Sequence, residues 1–338
     1  MQKRGRKGIW QITVGGLRRS SGTTDKRLAG ELEAKLNHEI YLQERLGIAP
    51  KKTWDEACFE WFNDIGKKLA SAKNQYYVAN ALQPHLGKLY LTQITKEVVA
   101  EVMASRVTQE ASPQNNTTNQ RVDFIKKILK HSGVLPPKFA KYPGTGGRDR
   151  WLTVEEWGQL SEVMSPDFRD ICTFALVTGI REANVIFFRW EWVKGDVMHI
   201  PSNHTKTNKA YTLPLNSMAM EILERRRKAA VTSLEYAFLR DGSPWNKTRV
   251  GKYMSGAVEK SGVEKVVFHG LRHSFASLLT QDGVPDSIVD RLGCWTMKGG
   301  TGRRYSHLAV EHLRPHSERI CTILAQEKTV IEQKQAVS

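Results

Sequence analysis

Apolar positions recur every three to four residues through most of the chain, the spacing of helices with one buried face. Leu28, Leu32, Leu36 and Ile40 set it over Lys26 to Leu46. Trp54, Ala57, Cys58, Trp61, Phe62, Ile65 and Leu69 set it again behind Thr53-Trp-Asp-Glu56. In that box the Thr hydroxyl and the Glu carboxylate each accept from an amide the helix leaves unbonded. Further helices are predicted over about 74–84, 96–107 and 117–131, the last with Val122, Phe124, Ile125, Ile128 and Leu129 inward. A second capping box, Thr153-Val-Glu-Glu156, opens helices over about 154–163 and 167–178. Others are predicted over about 216–229, 247–261, 270–282 and 317–326.

Alternation of period two marks two short β segments. Trp10, Ile12 and Val14, followed by Gly15-Gly16 and Leu17-Arg18-Arg19, predict a strand pair. VMHI and YTLPL, flanking the polar turn SNHTKTNK, predict a hairpin. The expected fold is mainly α with small antiparallel sheets, in several domains. Residues 1–50 form a basic strand pair with a helix, and 51–135 an all-helical domain. Residues 136–150 lie in the Pro- and Gly-rich stretch GVLPPKFAKYPGTGGRDR and form an extended linker. Residues 151–338 form an α+β domain closed by a C-terminal helix and polar tail. That helix has Ile320, Ile323 and Leu324 on one face, as for packing on its own domain.

Charge changes this picture. The chain of 338 residues holds 51 Lys and Arg against 35 Asp and Glu, a formal charge of +16. Clustered cations release condensed counterions on binding phosphate, so a nucleic acid is the expected partner. Lys3, Arg4, Arg6, Lys7, Arg18 and Arg19 make the N-terminal module a candidate DNA-contacting arm; its alternative is a solubilising N-terminus. Cys58, Cys172, Cys294 and Cys321 are far apart and form no CxxC pair, which speaks against a disulfide framework or zinc module. No apolar run approaches the roughly 18 residues of a membrane span. No signal-peptide core follows the basic N-terminus. A cytoplasmic protein without a membrane partner is expected.

Four short pieces carry candidate chemistry: TGIREANV (178–185), HTKTNKAYTLPL (204–215), FHGLRHSFA (268–276) and RRYSHL (303–308). Each alone has a structural explanation. Together they suit one reaction. Two arginines, Arg181 and Arg272, can neutralise the non-bridging oxygens of a five-coordinate phosphorus. His269, three residues before Arg272, shares its helical face. A lysine at a hairpin tip can protonate a leaving alkoxide. Tyr305 has a phenol whose ordinary pKa near 10 leaves it a poor nucleophile until cations favour the phenolate. Gly299, Gly300 and Gly302 before it permit movement. No cofactor is implied: there is no Walker loop, and GTGG (144–147) follows Pro143 rather than a strand. His269 and His273 are spaced as in a zinc helix, but Gly270 stands where a Glu belongs and a third ligand is missing.

The order Arg, Lys, His-x-x-Arg, Tyr, in the contexts TG-x-R and L-R-H-S-x-A, resembles the tyrosine recombinases, specifically the phage-type integrases, over essentially the whole chain. The resemblance implies an arm-like module, a helical core-binding domain of SAM-like type and a catalytic domain, with docking of the C-terminal helix on a neighbouring protomer as the alternative to packing on its own domain. It implies cleavage of double-stranded DNA at attachment sites by tyrosine attack, a 3′-phosphotyrosyl link and a free 5′-hydroxyl. Strand exchange would pass through a Holliday junction in a homotetramer without ATP or metal, with accessory DNA-bending or directionality proteins as possible partners. Arg181 and Arg272 would clamp the phosphate, Lys206 (rather than Lys209) would be the general acid, His269 would bond the phosphate, and Tyr305 would be the nucleophile. Two departures stand out. Asn184 occupies a position where the family has Glu or Asp supporting the arginine. Leu292-Gly293-Cys294-Trp295 stands where it has Leu-Gly-His, so either Trp295, with an indole donor, or Cys294 faces the phosphate; Trp295 is the expectation. A type IB topoisomerase and a DNA-binding protein with decayed chemistry are the alternatives.

Overall fold

The computed structural model describes residues 2–4, 8–14, 17–46, 51–104, 113–144, 150–206, 208–229, 235–295 and 310–337. The chain divides into two compact units, Met1–Gly147 and Arg148–Ser338.

The first unit opens with an antiparallel sheet of three strands, β1 (Gln2–Arg4), β2 (Ile9–Val14) and β3 (Leu17–Ser20), in that spatial order. The pattern of apolar residues predicted two of these. β1 carries no alternation and exists through backbone pairing, Lys3 opposite Trp10. Ile12 and Val14 lie buried against Leu36 and Ile40 of α1 (Lys26–Leu46), with Leu32 and Leu135 alongside. Leu28, expected on that face, is exposed, and Ala29 is buried instead.

Helices α2 (Trp54–Asp64), α3 (Ala72–Leu86), α4 (Lys96–Ala104) and α5 (Pro113–His131) pack around a separate core of Trp54, Trp61, Leu82, Phe124 and Ile128. The Thr53–Glu56 capping box forms as expected, with Glu56 accepting from the Thr53 amide at 2.8 Å. α2 stops at Asp64, which leaves Ile65 exposed and off the predicted stripe. The predicted linker is held rather than solvated over its first part. Phe139 and Tyr142 pack on the core, and Asn119 exchanges two hydrogen bonds with the Tyr142 backbone.

In the second unit Arg150 ion-pairs with Glu156 and Glu264, fixing the entry to α6 (Val154–Glu162). α7 (Pro166–Thr178) and the short α8 (Glu182–Ile186) follow. β4 (Val193–Lys194), β5 (Val197–Ile200) and β6 (Tyr211–Pro214) form an antiparallel sheet, with Ile200 opposite Tyr211. Next come α9 (Ser217–Ala229) and the small pair β7 (Leu239–Arg240) and β8 (Ser243–Pro244). The unit ends with α10 (Lys247–Ser261), α11 (Phe268–Gln281), α12 (Asp286–Leu292) and α13 (Val310–Val337). Leu313, Ile320, Cys321 and Leu324 of α13 are buried within this unit's own core. Asn216 donates to the backbone carbonyls of Val177 and Ser317, tying α7 to α13. The fold is mainly α with small antiparallel sheets.

Candidate active site

The site grows from the end of α7. Gly179 caps this helix in the left-handed conformation, φ 61°, where a side chain is strained. A Cβ there would also meet the Phe275 ring at 2.2 Å. The turn delivers Arg181 as the N-terminal cap of α8, half-buried. Arg272, in the second turn of α11, reaches back across 93 residues of sequence and donates through Nη1 to the Gly179 carbonyl at 2.7 Å. Only 4% of Arg272 is exposed. Burial, and then the charge of Arg181, push its guanidinium down to about 10. Among the described residues no carboxylate accepts a hydrogen bond from Arg181 or Arg272. Two guanidinium groups within electrostatic reach of one another thus lie at a partly buried site with no carboxylate hydrogen-bonded to either among those residues.

His269 lies one turn before Arg272 on α11, its ring edge-to-face with His273 at 5.2 Å between centroids. Its pKa is lowered from the usual histidine range, first by partial enclosure and then by His273, Arg272, Arg181 and Lys247. At neutral pH it is a neutral imidazole, able both to accept and to donate a proton. Ser274, the next motif position, serves the fold: its hydroxyl accepts from the Leu152 amide at 2.8 Å and donates to the Gly270 carbonyl at 2.9 Å.

Lys206 is exposed on the turn between β5 and β6, after a 3-10 turn at Ser202–His204. Lys209 is exposed as well, and its backbone closes the turn by donating to the Thr205 hydroxyl at 3.1 Å. Asn184 is buried, but its side-chain amide points at this turn, donating to the His204 carbonyl at 2.8 Å. Its backbone amide bonds the Arg181 carbonyl at 2.7 Å.

The two candidates after α12 differ in kind. Cys294 is buried in a left-handed conformation, φ 56°, and burial pushes its thiol up to about 12, against the pull of Arg272, Arg181 and Arg291. It is a neutral thiol. Trp295 is half-buried and lays its indole over the Arg272 guanidinium, 3.8 Å from ring centroid to Cζ. The same ring sits so close to Gly293 that a Cβ there would come within 1.5 Å of it.

A family model described as the phage integrase family matches residues 150–327, more than half of the chain and nearly all of the second unit. The chain belongs to the phage integrase family. It is a DNA strand breaking-and-rejoining enzyme of the tyrosine recombinase type. The integrase of Salmonella phage P22 is 27% identical over 90% of this chain and 89% of its own length. The fold is similar to that of a chain in the structure of a lambda integrase tetramer bound to a Holliday junction, with TM-score 0.58 and 16% identity over 88% of this chain and 95% of that one. It is also similar to that of the Tn1549 transposon integrase in complex with circular intermediate DNA, with TM-score 0.61 and 14% identity over 79% of this chain and 99% of that one.

The second unit of the recombinase thus brings Arg181, His269, Arg272 and Trp295 together, with the Lys206 turn bonded to α8 through Asn184. Tyr305 lies outside the described residues, as do Arg6 and Lys7. Lys3 and Arg4 fall on β1 and Arg18 and Arg19 on β3, in the first unit. Three contributors were not read from the sequence. The Gly179 carbonyl fixes Arg272, whereas the sequence marks Gly179 only as a helix end. Thr205 closes the lysine turn. Lys247, at the start of α10, adds positive charge at His269 from 22 residues upstream, with no local signal.

Proposed function

We propose that the protein is a site-specific integrase that moves a phage or other mobile element into or out of DNA at attachment sites. The observation that carries this reading is the pair Arg181 and Arg272, near enough for the charge of one to act on the other, with no carboxylate hydrogen-bonded to either among the described residues. Burial and that proximity push the pKa of Arg272 down. Such a pair favours a bound anion, and a scissile phosphodiester is the anion that suits two fork-shaped guanidinium groups. In the proposed reaction the Tyr305 oxygen attacks phosphorus and the P–O5′ bond breaks. A 3′-phosphotyrosyl link forms, and Lys206 gives its proton to the departing 5′-oxygen. His269 bonds the phosphate and assists proton transfer, while Trp295 covers Arg272. The arginines stabilise the charge that builds on the non-bridging oxygens. Attack by a 5′-hydroxyl reverses the step. The bond energy stays in the link, so ATP is not consumed, and the positive charge comes from the chain itself rather than from a metal.

On this reading the enzyme works in the cytoplasm as a homotetramer on duplex DNA, exchanging strands through a Holliday junction, with accessory DNA-bending or directionality proteins as partners. Residues 1–50 act as an arm, 51–135 as the core-binding domain, 136–150 as the connection, and 151–338 as the catalytic domain. Lambda integrase bound to a Holliday junction as a tetramer supports this assembly by likeness of fold.

The test is a nicked duplex carrying the direct repeat found at the element's ends, whose short fragment diffuses away after cleavage and traps the adduct. A covalent complex is expected, with or without a chelator, and Tyr305→Phe should abolish it while still binding the DNA. An adduct persisting in that variant sinks the nucleophile assignment. No adduct with the unaltered protein would favour decayed chemistry.

A further inference from the structure

We propose that Asn184 is a positioning residue for Lys206, tying the turn that carries the general acid to the helix that carries Arg181. The inference rests on the assignment of Lys206 above. Asn184 is the third residue of α8, and Arg181 caps the start of that helix. Its Nδ2 donates to the His204 carbonyl at 2.8 Å, two residues before Lys206. The turn is closed from its other side by Thr205, whose buried hydroxyl lies 3.0 Å from the Ser202 carbonyl and 2.9 Å from that of Lys209. The His204 ring packs edge-on against the buried Trp192 at 5.2 Å. Lys206 therefore has an exposed side chain on a backbone held at several points. The bond from Asn184 is the hold that comes from the arginine's own helix.

The amide is what this interaction requires. A carboxylate at 184 has no proton to donate and would set two acceptors face to face across a partly buried gap, at the cost of an unsatisfied carbonyl. Asn184 thus directs its side chain to the lysine turn rather than to a guanidinium, and its backbone amide separately holds the Arg181 carbonyl. Without this bond Lys206 is still present and its turn still closed by Thr205, but the turn loses its tie to the helix of Arg181 and can shift relative to it. A displacement of about 1 Å can cost two orders of magnitude in a step that needs a placed proton donor.

The experiment measures single-turnover cleavage of the nicked duplex in two forms. One has the ordinary 5′-oxygen at the scissile bond. The other has sulfur there, which leaves as a thiolate without needing a proton. Asn184→Ala and the near-isosteric Asn184→Asp should slow the ordinary substrate by about tenfold to a hundredfold. Both should cleave the sulfur substrate within a few-fold of the unaltered enzyme. Lys206→Ala should lose more on the ordinary substrate, about a hundredfold to ten-thousandfold, and regain it on the sulfur one. Equal losses on both substrates in both Asn184 variants, through misfolding or a damaged arginine pair, would overturn the positioning role, as would normal rates on both. Failure of sulfur to restore Lys206→Ala would instead overturn the general-acid assignment.

Discussion

An arginine with 4% of its surface exposed normally sits against a carboxylate, because burying an unpaired charge is costly. Arg272 has instead a backbone carbonyl, the face of Trp295 and a like-charged neighbour. The indole offsets part of the lost hydration, since a cation over an aromatic face gains about 2 kcal/mol when desolvated. Trp295 can act through that face or through its N–H, and the two roles separate by substitution. Trp295→Phe keeps an aromatic face and removes the donor, whereas Trp295→Ala removes both. With the face as the main contribution, Trp295→Phe should cleave within about tenfold of the unaltered enzyme and Trp295→Ala about a hundredfold slower. Single-turnover rates on the nicked duplex would check this, with DNA affinity measured alongside. Equal losses in both variants would assign the role to the indole donor.

At the scale of elements, the junction of α7 and α8 sets the site because one residue meets three demands. Gly179 ends α7, takes a left-handed backbone and presents its carbonyl to Arg272. Gly262 at the end of α10 has a comparable φ of 70° but open space where a side chain would go. Gly262→Ala should therefore cost only the backbone strain, about 1 kcal/mol. Gly179→Ala adds a clash with Phe275, which raises the cost to about 2–4 kcal/mol, and should also slow cleavage by displacing Arg272. Equilibrium urea unfolding of both variants measures the difference, and equal costs would show that Phe275 yields. The same junction shows what the sequence makes visible. Both capping boxes and the longer helices follow from spacing, and the arginines, histidine and lysine stand out by type and order. α8 and α12 are too short for a period to show, and β1 has no apolar alternation at all. α13 starts five residues before Pro315, a residue that ordinarily marks a boundary. The bonds from Arg272 to Gly179 and from Asn184 to His204 link positions far apart in the chain, and only packing brings them together.

For the whole molecule, the excess of 51 Lys and Arg over 35 Asp and Glu bears on affinity rather than on fold. Residues 1–50 hold ten of the basic residues against five acidic ones. Their small core of Ile12, Val14, Leu36 and Ile40 is separate from the larger core around Trp54 and Trp61, with Leu135 as a partly buried neighbour. Deleting residues 1–50 thus removes one hydrophobic cluster nearly whole and leaves the other intact. If this module is the arm, the truncated recombinase should bind accessory DNA sites much more weakly while cleaving the core site at a rate close to that of the full chain. The salt dependence gives an independent measure. Each phosphate that the truncated protein no longer neutralises should reduce the slope of log affinity against log salt by about 0.9. The slope for accessory-site DNA should fall by several such steps on truncation, and the slope for an isolated core site should hardly change. Binding titrations across a range of salt with both DNAs would read the two slopes directly. An equal fall in both would mean that residues 1–50 add charge to the molecule as a whole and have no site of their own.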